Sequence, residues 1–259
     1  MAETEDGKKD VKKLAKNTGF LYLLSLSSQI VNLALIPFET RVLGSEAYGV
    51  IALSVAMSSI ITIVLDFGLI LSATERVVKL AGNAASLARL LGNVACAKAC
   101  LALAVGMVIV VLILFVPPFS EYRSLFLLYY LAYAVNAFLP DFFYRGHEDM
   151  RIITVRTVMV KVISALPIFF LLRGPSDMWV VPALLLAGNA AAVSFSYCDI
   201  RKRYRVEALT FDVKESFGIL RASFGFFVSR FSSVFYQSMN SVLLGFVYPG
   251  QAVVGFYGA

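Results

Sequence analysis

Read from its N-terminus, the chain alternates long apolar runs with short polar segments. A run of about 18 or more mostly apolar residues predicts a membrane-crossing helix, because ~20 residues at a 1.5 Å rise span a ~30 Å hydrocarbon layer. Seven such runs occur, over Phe20–Phe38, Tyr48–Ala73, Ala95–Val116, Leu125–Pro140, Ile152–Leu172, Trp179–Tyr197 and Phe224–Val247. The stretch from Thr74 to Val94 is too charged to cross and reads as a surface helix, and Asp199 to Arg221 reads as a longer polar loop. The predicted fold class is all-α: a polytopic membrane helix bundle of about seven transmembrane helices.

The apolar runs are not uniform. Thr18, Tyr22, Ser25, Gln29 and Asn32 recur at steps of four and three in the first, which places them on one helix face. Ser54, Ser58, Thr62 and Asp66 do the same in the second; Tyr129, Tyr133 and Asn136 in the fourth; Thr154, Thr157, Lys161 and Ser164 in the fifth; Arg230, Ser233, Gln237 and then Asn240 or Ser241 in the seventh. Ser, Thr, Asn and Gln commonly tie membrane helices together by hydrogen bonds. Asp66, Lys161 and Arg230 need more than that, because a charge in hydrocarbon requires a partner or water. A hydrated cavity lined by these faces answers both needs.

Composition adds the class of environment: 59% of the chain is hydrophobic and 15% charged, against roughly half and a quarter in a soluble domain. The net charge of +6 is explained by topology, so no nucleic-acid partner is called for. With the N-terminus inside, the inner side holds Lys8, Lys9, Lys12, Lys13 and Lys16 of a basic tail, then Arg76, Lys79, Arg89, Lys98, Arg145, Arg151, Arg156, Lys161, Arg201, Lys202, Arg203, Arg205, Lys214, Arg221 and Arg230. The outer side holds Arg41, Arg123 and Arg173. This is the asymmetry of the positive-inside rule, with outer loops too short for an extracytoplasmic domain or a catalytic loop. Lys98, Lys161 and Arg230 fall in the inner halves of their spans, against one acid, Asp66, at comparable depth. The interior is therefore net cationic toward the cytoplasm and suits an anionic substrate such as a phosphate or pyrophosphate. Cys96 and Cys100, one helical turn apart, read as small packing residues, and His147 as a solvated loop histidine. No metal, cofactor or catalytic motif is expected, so the chain reads as a transporter and not an enzyme.

Several motifs then resemble one family. Ile36-Pro37-Phe38, Thr40-Arg41-Val42-Leu43-Gly44, Tyr48-Gly49, Asp66-Phe67-Gly68 and Ser72-Ala73-Thr74 are similar to the opening of the polysaccharide transporter family. These are Wzx-type flippases of the multidrug/oligosaccharidyl-lipid/polysaccharide exporter superfamily. The stretch around "DFFYRGHEDM" and the closing "SVLLGFVYPGQAVVGFYGA" resemble later family segments. Glu39 stands where the family is usually uncharged, and His147 where it is commonly aliphatic. The resemblance implies one half of a MATE-like two-lobed transporter: a basic tail over 1–19, one lobe over 20–247, and an outer loop with the start of an eighth helix over 248–259. Since such proteins have about twelve to fourteen helices, it also implies a fragment or a truncated product.

The implied function is movement of undecaprenyl-pyrophosphate-linked oligosaccharide across the cytoplasmic (inner) membrane for O-antigen, capsule or exopolysaccharide synthesis, with polysaccharide polymerase and chain-length proteins as partners. The alternatives are a cation-coupled drug exporter of the same superfamily and an inactive assembly or anchor protein. The candidate substrate-binding residues are Arg230, Lys161, Lys98, Arg41, Gln29, Asn32, Gln237 and Asn240. Asp66 is expected either to pair with Lys98 or Arg230, which the excess of bases favours, or to bind a coupling proton or sodium ion.

Overall fold

In the computed structural model, the backbone is described for residues 2–117, 119–206 and 209–247, and side chains for residues 18–232 other than 21, 23, 24, 27, 28, 32, 118, 207 and 208. The described chain is helical without strands. Its elements are α1 (Ala2–Asp66), α2 (Leu69–Lys79), α3 (Ala84–Phe115), α4 (Arg123–Ala137), α5 (Asp141–Gly146), α6 (Met150–Leu171), a 3-10 turn (Pro175–Asp177), α7 (Val180–Arg203) and α8 (Val213–Val247). Five helical stretches among the described residues are long and apolar enough to cross a membrane; the first, Gln29–Lys79, takes in the second predicted span and the latter half of the first. Those two are arms of α1, separated at Gly44, where φ is 76° and ψ 169°. Only glycine adopts that backbone without penalty, so the helix turns there. The seventh predicted span lies on α8, largely past the last described side chain.

Two polar segments are more helical than their composition suggests. The stretch 74–94 is not one surface helix: α2 runs through it to Lys79, residues 80–83 turn, and α3 starts at Ala84. Asn83 caps α3, its side chain accepting from the Ser86 N–H at 3.1 Å, which satisfies one of the helix's free donors. The expected loop at 199–221 is mostly the end of α7 and the start of α8. Charged residues placed on exposed ends of long helices give the same composition as a loop.

The apolar interior divides in two. One core joins the end of the first arm of α1 (Leu43) and its second arm (Val50, Leu53, Leu65) to the far end of α3 (Ile109, Ile113) and to α4 (Phe126, Tyr129). The other joins α2 (Leu69, Val77), the start of α3 (Leu91, Val94, Ala97), α5 (Phe143, Tyr144) and the near ends of α6, α7 and α8. Many large apolar side chains point outward instead, among them Leu103, Met107, Phe115, Ile163 and Phe170. In water such a surface would drive aggregation; in lipid it is the solvated face. His147, expected to be solvated, is packed between Phe143 and Tyr204 with ring centroids 4.4 and 4.5 Å away.

The bend between α1 and α2 needs a second glycine. Gly68 has φ 73°, and a Cβ there would sit 2.7 Å from Phe226 Cβ and 2.9 Å from the Phe227 nitrogen on α8. Gly68→Ala therefore meets both backbone strain and a backbone obstacle. It is expected to lower stability by about 1–3 kcal/mol, read as a fall in the thermal unfolding midpoint of the purified protein in detergent; an unchanged midpoint would show that α8 does not pack there.

Candidate functional site

The turn that ends α1 builds the site. Phe67 and Gly68 are both left-handed, with φ 47° and 73°. A phenylalanine in that region is strained, and its ring is held by stacking on Phe227 of α8, centroids 4.4 Å apart at 12°. The double reversal leaves Asp66 at the seam between the two helical segments. Its carboxylate lies by the Ile70 backbone N–H, one of the free donors in the first turn of α2. An acid there meets the positive end of a helix dipole.

Four elements bring charge to the same level. A cavity of about 130 Å³ is lined by Thr62, Asp66, Lys98, Asn136, Asp141 and Arg230, with apolar walls from Ile63, Ile70, Leu139 and Phe142. Arg230 Nη1 lies 3.5 Å from Asp66 Oδ2, with the arginine side chain 48% exposed and the aspartate 17%. Lys98, buried, donates to the Ala137 carbonyl at 2.5 Å and stands 5.8 Å from the centre of the Phe142 ring. Asp66 and Asp141 both act on it electrostatically.

Asp141 has a nearer partner. Arg156 on α6, 3% exposed, pairs with it at 2.5 Å and donates to Ser196 Oγ on α7 at 3.1 Å. Tyr144 donates to the Ser196 carbonyl or to Asp199 Oδ2, each 3.0 Å from its hydroxyl. Asn136 on α4 donates to Asn189 Oδ1 on α7, and Asn189 donates back to the Ala132 carbonyl, both at 3.0 Å. Because Arg156 neutralises Asp141, the cavity sets one acid, Asp66, against two bases, Lys98 and Arg230. The space between them is net cationic.

The expected binding residues therefore separate. Lys98 and Arg230 meet in the cavity with Asp66. Lys161 is half-buried on α6 and Arg41 and Gln29 are exposed on α1, none of them lining it. The side chains of Asn32, Gln237 and Asn240 lie outside the described residues. Ser54, Ser58 and Thr62 each donate to the carbonyl four residues earlier in their own helix, at 2.7 to 2.8 Å, so that stripe is internally satisfied. Sequence reasoning passed over Asp141 and did not pair Arg156; an acid directly after Pro140 with an arginine fifteen residues on was the available signal.

The family profile described as "Polysaccharide biosynthesis protein" matches residues 14–259. The chain belongs to that family. Two curated relatives, each named "Putative O-antigen transporter", align over most of it. The one from Shigella dysenteriae is 24% identical over 253 residues, covering 95% of this chain and 61% of the relative. The one from Escherichia coli (strain K12) is 20% identical over 246 residues, covering 95% and 59%. The chain thus spans about three-fifths of the length of these relatives. No solved structure matches it. Its family and its five apolar helical stretches mark it as a multi-pass membrane protein.

Removing one partner of the Asp141–Arg156 pair leaves a buried charge uncompensated, which typically costs ~3–5 kcal/mol. Asp141→Asn and Arg156→Gln are each expected to cut the yield of folded protein sharply. The double variant is expected to recover a substantial part of it, measured as monodisperse protein after detergent extraction. Losses that simply add would show that the two side chains do not depend on each other.

Proposed function

We propose that this chain supplies one lobe of a flippase that moves undecaprenyl-pyrophosphate-linked oligosaccharide across the cytoplasmic membrane for O-antigen, capsule or exopolysaccharide synthesis. The observation that carries this reading is the loose Asp66–Arg230 contact in a cavity that also holds Lys98. A guanidinium 3.5 Å from its carboxylate and half open to the surroundings is held in place without being used up. Pyrophosphate, like a carboxylate, presents pairs of anionic oxygens that arginine can bind in a bidentate way. In this mechanism Asp66 holds Arg230 in register while the site is empty, and an arriving anionic headgroup takes its place. Lys98 adds a second positive charge from α3. The names of the relatives support the substrate class, and the cationic excess disfavours a drug cation.

The same reading places the N-terminus in the cytoplasm, from the lysine and arginine asymmetry. Lobe partners, polymerase and chain-length proteins are the expected associates. Two exposed positions test the orientation in a cysteine-free background: Glu121, between α3 and α4, and Lys214, at the start of α8. An impermeant thiol reagent applied to cells should label Glu121→Cys and spare Lys214→Cys. The reverse pattern would invert the topology.

For the substrate, Arg230→Ala in the full-length transporter is expected to reduce export of lipid-linked glycan about tenfold or more, since a charge-assisted hydrogen bond contributes roughly 1.5–3 kcal/mol. Arg230→Lys should retain part of the activity. Normal surface glycan in the alanine variant, at matched protein levels, would sink the assignment.

A further inference from the structure

A second cavity lies at one end of the bundle and shares no lining residue with the Asp66 site. It is a groove of about 610 Å³ where the end of α2 meets the starts of α3 and α8. Arg76 and Lys79 from α2 and Arg89 from α3 line it, against one acid, Glu215 of α8. Two of the apolar stretches terminate here, one ending at Lys79 and the next beginning at Ala84. The groove therefore lies where the helices leave hydrocarbon.

The acid is already committed. Glu215 Oε1 pairs with Arg89 at 2.7 Å, and Oε2 accepts from the Asn93 side chain at 2.7 Å. Asn93 Oδ1 accepts in turn from the Asp212 N–H at 2.7 Å, which fixes the start of α8 on α3. Lys79 pairs with Glu75 on its own helix at 2.6 Å. Arg76 is half-buried and forms no ion pair among the described residues. A guanidinium does not lose its charge, so the partner it lacks within the protein is an anion.

The rest of the groove says what kind of anion. Leu80, Leu90 and Ile219 give it apolar lining, and the same stretch of α8 exposes Val213 and Phe217. Gly218 also lines the groove, and a Cβ there would meet no atom within 4 Å, so the space over that turn of α8 is open to a ligand. Bases beside apolar lining, at a membrane surface, match an anionic headgroup on an apolar stem. A free phosphate would leave the apolar part unused.

We propose that this groove binds the headgroup of an anionic phospholipid, with Arg76 as its principal charged contact. The headgroup joins α2 to the Arg89–Glu215 pair and so pins three helices together at a membrane surface. The site requires a bilayer around the bundle and no particular cargo.

Native mass spectrometry of the purified protein, with phosphatidylglycerol or zwitterionic phosphatidylcholine added in detergent, tests this without any transport assay. Phosphatidylglycerol should be retained at a concentration where phosphatidylcholine is not. Arg76→Ala should weaken that retention roughly fivefold, the effect of one base at an anionic lipid surface. Gly218→Leu should fold as wild type does, since leucine suits a helix better than glycine, and should lose the lipid because its side chain fills the groove. Arg201→Ala, on α7 and outside the groove lining, should retain phosphatidylglycerol as wild type does. Equal retention of the two lipids, or equal retention of phosphatidylglycerol by wild type and both groove variants, would refute the site. So would a loss in Arg201→Ala as large as that in Arg76→Ala, which would mark diffuse attraction to positive charge. If inorganic phosphate raises the thermal unfolding midpoint as much as phosphatidylglycerol does, the groove takes a free anion and the lipid assignment is wrong. Should Gly218→Leu fail to fold, Arg76→Ala decides the matter, and undiminished retention there refutes the proposal.

Discussion

A charge placed in hydrocarbon must find a counter-charge or water, and in this protein that constraint is met at one level of the bundle. The two apolar cores do not merge. On α1 and α2 the first core reaches Leu65 and the second begins at Leu69, with Asp66 between them. On α3 the second core ends at Ala97 and the packing of the first starts at Leu101, with Lys98 between. Along α4 and α5 the change falls between Ala137 and Phe142, and Asp141 lies in that gap. Arg156, Asn136 and Asn189 complete the same layer by their hydrogen bonds. The seam is therefore a polar plane through an apolar bundle, held by pairing across helices that are far apart in sequence.

The turn at Asp66-Phe67-Gly68 explains why an aspartate occurs within so apolar a run. A helix that must end and restart inside the bilayer exposes free carbonyls and free N–H groups, and these are costly unless satisfied. The aspartate lies at the restarting N-terminus, the phenylalanine fills the space against α8, and the glycine allows α8 to approach. One short motif thus breaks the span, supplies the charge and docks the neighbouring helix. The Ser72 and Ser223 hydroxyls, 2.5 Å apart, extend that docking one turn further.

Much of the architecture was legible because long apolar runs have few alternatives in a membrane: the predicted spans fall on helices, the second of them broken at Phe67-Gly68 into the end of α1 and the start of α2. Helix ends were less legible. Glu75, Arg76, Lys79 and Arg89 lie on helices yet have the composition of a loop, and periodicity does not reveal where a helix leaves the hydrocarbon. Asp66, Lys98 and Arg230 stood out by depth alone, which a 1.5 Å rise converts directly from sequence. Their neighbours did not: Asp141 reads as an ordinary cap after Pro140, and only the fold brings Arg156 to it. Lys161, singled out by the same measure, lies on α6 and does not line the cavity.

The central claim is that the charges at the seam are held by one another. A double-mutant cycle on Asp66 and Lys98 tests it most directly, with unfolding of the purified protein as the readout. Asp66→Asn and Lys98→Met should each destabilise. The double variant should lose less than the sum of the two, with a coupling of about 0.5–3 kcal/mol, the range for residues that share a network. Strictly additive losses would contradict the account, because two charges that ignore each other cannot belong to one balanced layer.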